Sequence, residues 1–391
     1  MIESEQKIFR LTGKVQHYEW GGFEFIPASL GISNTSHKPF AEYWLGTHHK
    51  SPSEIFTGDE IKKLSEFTDL PYLFKLQDVR EMLSIQVHPT KKAAEIEFAR
   101  ENQEHIPLDA PNRNYRDDNH KPELIVALGE FWLLHGFKKK NALIKILNVV
   151  PEFAGLQVIF NLHGYEELYK TVMGMPQERV NTILQPLLDR VAPLYRQGAL
   201  NKDEEDYWAS KAALSFNKGG NIDRGIFSIY FFNLVQLKKG EGIYQPAGVP
   251  HAYLEGQGVE IMANSDNVLR GGLTTKHIDI KELMKHVLCE PVTPEIISGT
   301  KRNKEKVFTT AAPDFELSSF QLAENEIAGF TPASIEIIFL LKGNAECTAG
   351  NSVLRLKQGQ AAVIFPCKDV SLKAFPDAEI YRASRPVRPH P

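Results

Sequence analysis

The hydrophobic pattern of this 391-residue chain changes period twice, and those changes limit the folds open to it. Up to residue 137, short β-prone runs are broken by Pro, Gly, Asn and His. Leu83–His88, Leu124–Leu128 and Phe131–Leu134 read as strands, and the charged stretch Lys91–Glu104 reads as a helix and loop between two of them. After Lys138-Lys139-Lys140 the period lengthens. Val180, Ile183, Leu184, Leu187, Leu188, Val191 and Leu194 recur three and four residues apart, one apolar stripe that Pro186 and Pro193 should divide or kink. Asn141–Leu147 and Glu166–Met173 carry shorter stripes. β character returns over Phe227–Leu237 and continues to the end, with strands expected at Ile335–Leu341, Ser352–Leu356 and Ala361–Phe365.

The expected architecture is mainly β with a helical insertion. Residues 1–137 and 224–300 should form a catalytic β domain, 138–223 a helical insertion domain, and 301–391 a C-terminal β domain. The C-terminal part holds one histidine, His390, so no metal site is expected there.

Charge excludes several classes of partner. The 45 basic and 49 acidic side chains are interspersed, giving a net charge of −4 and no stripe or cluster for nucleic acid or an anionic membrane. Phe227–Leu237 is about half the apolar length needed to span a bilayer. Met1–Arg10 lacks the apolar core of a signal peptide. Cys289, Cys347 and Cys367 are too few for a disulfide framework and have no metal-ligand spacing. A cytoplasmic monomer with reduced thiols is expected, acting on a small molecule.

Four stretches carry groups able to do chemistry. In Gln86-Val87-His88 the outer residues share one face of a strand, so an amide and an imidazole converge; a solvated strand face would look the same. Gly240, Pro246 and Gly248 shape a turn that aims His251 into a barrel mouth, a spacing that resembles the second motif of the cupins, with Glu255 where Asn usually stands. In the tail, Gly359–Pro366 looks like a similar turn, but no histidine follows. In Tyr115–Glu123, Pro122 holds Lys121 extended and sets His120, Lys121 and Glu123 at a rim. A carboxylate beside the apolar strand that follows is costly unless a cation meets it. Finally, a strand over Val259–Met262 would turn Glu260 inward, and the polar loop Asn264–Asn267 leads to Arg270.

Together these stretches resemble the class I mannose-6-phosphate isomerases, also called phosphomannose isomerases, of the cupin superfamily. The signature Tyr-x-Asp-x-Asn-His-Lys-Pro-Glu is matched over Tyr115–Glu123. A second signature is matched over His251–Lys276, except that Gly271 and Thr275 stand where the family usually has Ala and Pro. Val15–Gly21 and Ala41–His48 are also similar to family segments. The resemblance implies two cupin-like jelly-roll barrels and one zinc ion held by Gln86, His88, Glu123 and His251. It also implies a zinc-dependent aldose–ketose isomerase acting on a sugar phosphate, interconverting mannose 6-phosphate and fructose 6-phosphate through a cis-enediol.

Roles follow as expectations. Arg270 is marked as an active-site residue by the resemblance. Lys121 and His120 are candidate proton shuttles, oriented by Asp266, and the choice of base among Glu260, Lys121 and Asp266 stays open. The tail is expected to contribute packing but no chemical group. A cupin oxygenase would prefer iron and a His-rich shell, and a sugar-phosphate sensor without activity would have lost Lys121, Glu123 or Arg270.

Overall fold

The computed structural model describes residues 6–58 and 60–386; the beginning of the Met1–Arg10 segment and His390 lie outside the described residues. Among those described, the strands form sheets of ten, nine and four. The chain is mainly β with a helical region, as the two changes of period imply.

The ten-stranded sheet carries the site. At its centre His251–Ala263 runs antiparallel between Glu123–Phe137 and Tyr72–Val79. The expected pair of strands around Leu124–Leu134 is one strand, Glu123–Phe137, whose register against its neighbour shifts between Gly256 and Gly258. The strand expected over Leu83–His88 shortens to Gln86–Val87, which lies between His251–Ala263 and Leu269–Arg270.

The charged stretch folds as the helix Lys91–Gln103, capped by the Thr90 side chain, which accepts from the Ala93 amide. The stripe beginning at Val180 lies in one helix, Gln177–Arg196, with Pro186 and Pro193 inside it. Its Val180, Leu184, Leu187, Leu188 and Val191 are buried, whereas Leu194 is exposed. They share a core with Phe153, Trp208 and Phe227. Truncating one such leucine to alanine costs about 2–5 kcal/mol.

One expected strand is wrong in its first half. Gly225–Phe231 is helical, and only Phe232–Leu237 is extended. All seven helical residues are buried, so the apolar run carries no period to separate helix from strand. Just before the helix, the Asp223 side chain accepts from the Gly225 amide.

The nine-stranded sheet joins the chain's two ends. Ile8–Thr12 lies between Ala361–Ile364 and Glu54–Thr57. Its Phe9 and Leu11 pack with Phe315, Phe339 and Val363 of the tail and with Tyr72 and Phe74 of the ten-stranded sheet. The Tyr72 hydroxyl donates to the Ala383 carbonyl at 3.0 Å. No single helix among the described residues is long and apolar enough to cross a membrane; one pair, Lys140–Val149 and Pro151–Gly174, passes by length and composition only when taken together and is bent by 111°.

Candidate metal centre and adjoining cleft

Three neighbouring strands bring the centre together. His251 is the cross-strand partner of Gln86, and Gln86 is in turn the partner of Arg270. Directly opposed residues share a face, and His88 follows directly after the strand Gln86–Val87. Glu123 starts the strand on the other side. The ligand atoms of His88, Glu123 and His251 all lie within 4.8 Å of one another.

The hydrogen bonds fix which imidazole nitrogens face inward. His88 Nδ1 donates to the Asn267 carbonyl at 2.9 Å, and His251 Nδ1 donates to the Val249 carbonyl at 3.0 Å. Each Nε2 is left toward Glu123, 3.3 Å away for His88 and 3.2 Å for His251. His88 Nε2 is buried and has no hydrogen-bond partner. Burial pushes the His88 imidazole down to about 4, so near neutral pH it presents a lone pair to a carboxylate. Lone pair against carboxylate is repulsive, and a cation between them removes the repulsion. Burial alone would raise Glu123, but the neighbouring Lys121, His88 and His251 hold it well below the usual carboxylate range. The donor set and its backbone supports suit a metal.

A second grouping, His48, His49 and Asp266, suits one less well. His48 Nδ1 accepts from the Lys50 amide, so its proton sits on Nε2 facing Asp266. Lys50 Nζ already occupies the other carboxylate oxygen at 2.6 Å.

A cleft of about 550 Å³ adjoins the centre and is lined by Trp20, Gln86, Arg270, Thr274 and Lys276 among others. Burial and the neighbouring Arg116 lower the Arg270 guanidinium; burial, Arg270 and Arg116 lower the Lys276 ammonium. Like charges are crowded here, and an anion would relieve them.

The comparisons fit this geometry. The model of the phosphomannose isomerase type I catalytic domain matches residues 8–140. The mannose-6-phosphate isomerase of Escherichia coli is 35% identical over 379 residues, covering 91% of this chain and 94% of that protein. The chain belongs to the mannose-6-phosphate isomerase family. A second relative, the mannose-6-phosphate isomerase of Salmonella typhimurium, is also 35% identical, over the same shares of the two chains. Two solved structures of family members, each 32% identical, cover 98% of this chain and 100% of their own with a TM-score of 0.86. One is a mannose 6-phosphate isomerase bound with zinc and yttrium; the other is the Salmonella typhimurium enzyme bound to fructose 6-phosphate as substrate and to zinc.

Within this family frame the residues singled out from sequence divide into groups. Lys121 Nζ lies 3.0 Å from Glu123 Oε1, beside the His88–Glu123–His251 cluster. His120 turns to the other side of the extended segment, where its Nε2 meets Asp314 of the tail at 2.8 Å. The tail, expected to contribute packing, thus also touches the first signature through a carboxylate. Asp266 does not reach Lys121 or His120 through any of its hydrogen bonds or ion pairs; its carboxylate takes His48 and Lys50, which hold it well below its ordinary range despite burial. Its amide is bound by Asp117.

Glu260 is buried at 1% exposure, with Tyr253 Oη at 2.9 Å, Gln77 Nε2 at 2.7 Å and Lys75 Nζ at 2.9 Å. Burial raises the Glu260 carboxyl, Lys75 opposing and Glu123 and Glu42 reinforcing. Sequence reasoning missed Lys75 and Gln77, and read Asn267 only as part of the polar loop leading to Arg270. Lys75 and Gln77 alternate with Phe74 and Leu76 on an apolar strand, a polar face that the pattern does display. Asn267 ties three segments: its side chain donates to the Asp117 and Asn119 carbonyls and accepts from the Arg116 amide, while its own carbonyl takes His88.

Proposed function

We propose that this chain interconverts mannose 6-phosphate and fructose 6-phosphate, with one zinc ion held by His88, Glu123, His251 and Gln86. The observation that carries the reading is the buried, unpartnered Nε2 of His88 facing the Glu123 carboxylate. When bound, zinc supplies a Lewis acid that stabilises negative charge developing on a sugar oxygen.

The chain's own residues do the rest. Arg270 and Lys276 favour the anionic substrate in the cleft, and Arg270, the cross-strand partner of Gln86, holds an oxygen near the reacting carbons. In the aldose-to-ketose direction a proton leaves C2 for the Glu260 carboxylate, giving a cis-enediol, and returns to C1. A second proton passes from O2 to O1, with Lys121 as the relay. Burial raises the affinity of Glu260 for a proton, which favours it over an ordinary carboxylate as the base. His120 and Asp266, seated on Asp314 and Lys50, brace the two signature loops in this reading.

The same reading gives the two large sheets cupin-like jelly-roll character, with 138–223 as the insertion and 301–391 as the second β domain. Residues 8–12 and 54–57 cross from the catalytic domain into the sheet of the tail. Three unpaired cysteines and the mixed charge support a cytoplasmic monomer with neither nucleic acid nor a membrane as partner.

An assay coupling fructose 6-phosphate formation to a reporter enzyme tests the proposal. Turnover of mannose 6-phosphate should vanish with a chelator and return with zinc. No turnover by the zinc-loaded protein would overturn it.

A further inference from the structure

The loop after Arg270 follows an unusual path. Gly272 has φ +119° and Leu273 has φ +51°, two successive residues in a region that a leucine avoids. The path also passes very close to another segment. A Cβ on Gly272 would lie 2.4 Å from the Gly225 Cα, and one on Gly271 would lie 2.7 Å from the Tyr169 hydroxyl. Something must hold this backbone where it is, because strain of this kind persists only when its surroundings enforce it.

Asp223 supplies the hold. It stands where the helical insertion returns to the catalytic sheet. Its Oδ1 accepts from the Gly225 amide at 2.7 Å and the Leu273 amide at 2.8 Å, and its Oδ2 accepts from the Thr274 amide at 3.1 Å. Amide bonds to an ionised carboxylate are stronger than neutral ones. The far side of the loop is tied to the strand that carries Gln86: the Gly271 amide donates to the Ile85 carbonyl, and the Ile85 amide donates to the Gly272 carbonyl. Arg270, Leu273, Thr274, Thr275 and Lys276 all line the cleft. One carboxylate thus sets the backbone from which the cleft's cationic wall projects.

We propose that Asp223 is a positioning residue for substrate binding, fixing the loop that presents Arg270 and Lys276 to the sugar phosphate. The inference rests on the isomerase reading for its substrate, and on the hydrogen bonds alone for its geometry. Without the carboxylate, Leu273 is free to leave its left-handed conformation, and the wall beyond it shifts. Displacements of about 1 Å cost up to about a hundredfold in enzyme efficiency.

The test uses the zinc-loaded full chain with Asp223→Ala and Asp223→Asn. KM for mannose 6-phosphate should rise at least about tenfold in Asp223→Ala, with a smaller fall in kcat and unchanged zinc content. Hydrogen exchange at the Leu273 and Thr274 amides should quicken, and Asp223→Asn, which keeps one acceptor oxygen, should recover part of both losses. A wild-type KM in Asp223→Ala would overturn the proposal, as would unchanged exchange at those amides. If the alanine variant does not fold, the asparagine variant decides by the same two readouts. If the wild-type protein has no turnover, the isomerase reading fails, and exchange at Leu273 and Thr274 alone judges the anchor.

Discussion

Glu260 Oε2 and Lys75 Nζ lie 2.9 Å apart in a region closed to solvent, on cross-strand partners of the central sheet. Burial by itself would lower the Lys75 ammonium, but Glu260 and Glu42 raise it overall. Neither group of such a pair can be neutralised alone without leaving the other charge uncompensated, a loss of about 3–5 kcal/mol when a buried pair is broken. Glu260→Gln should therefore both abolish turnover and lower stability by a few kcal/mol. Zinc content should stay at the wild-type level, since Glu260 is outside the ligand set. Denaturant titration beside metal analysis checks it, and a fully active variant would remove Glu260 from the chemistry.

Glu123→Ala removes the carboxylate that both imidazoles face. The variant should lose zinc and activity together. Stoichiometric zinc in the purified variant, measured by elemental analysis, would contradict the ligand assignment.

Glu282 gives a pH test away from the centre. The Tyr115 hydroxyl and Lys285 donate to its carboxylate, at 2.7 and 2.8 Å, and His286 lies at 3.3 Å. Burial would raise this carboxyl, but His286, Lys285 and Tyr115 bring it down from 4.5 to about 2. A depression of that size corresponds to about 3 kcal/mol. The sign is that of a carboxylate bound more tightly when folded: the contribution is complete above about pH 4.5 and is lost as pH falls toward 2. Wild type should exceed Glu282→Gln in stability most at neutral pH, with the gap closing below about pH 4.5. A gap constant with pH would show that the carboxylate's charge plays no part.

Much of this was legible in the sequence because spacing survives folding. The Val180 stripe is a buried helix face, as its period requires, and Gln86 lies on the strand directly before His88. Phe227–Phe231 was misread because a segment buried on every side has no polar face to reveal its period. Contacts between distant segments leave no local trace. Asp314 meets His120 across 194 residues, and Asp223 meets Leu273 across 50. Asp223 stands two residues before the helix Gly225–Phe231, in the ordinary setting of an acidic residue near a helix start, and its second duty to the cleft loop exists only in the fold.

The tail offers a paired comparison. Asp314 is partly buried against His120, whereas Lys357 is exposed. Asp314→Ala should cost about 1 kcal/mol by leaving an imidazole nitrogen without its acceptor. Lys357→Ala should leave turnover within about twofold, as surface changes usually do. Equal effects of the two substitutions on thermal unfolding would show that the His120 contact contributes nothing.

The last prediction concerns the charged end of the substrate. Mannose and mannose 6-phosphate present the same reacting carbons, so any difference between them reports binding remote from the chemistry. The cleft places Arg270 and Lys276 along one wall, and each depresses its own proton affinity through burial and through its cationic neighbours. A phosphate settling there meets crowded positive charge, and the planar guanidinium can engage it through two parallel bonds. Binding energy gained at that end holds C1 and C2 against the centre, so its loss should lower kcat as well as raise KM. Free mannose should lose several powers of ten in kcat/KM, on the order of 4 kcal/mol or more. Arg270→Lys, which keeps the charge but not the fork, should cripple turnover of the phosphorylated sugar while zinc content and fold persist. Lys276→Ala should chiefly raise KM. Comparable specificity constants for the two sugars would place the phosphate outside this cleft and leave its crowded cations without a substrate to explain them.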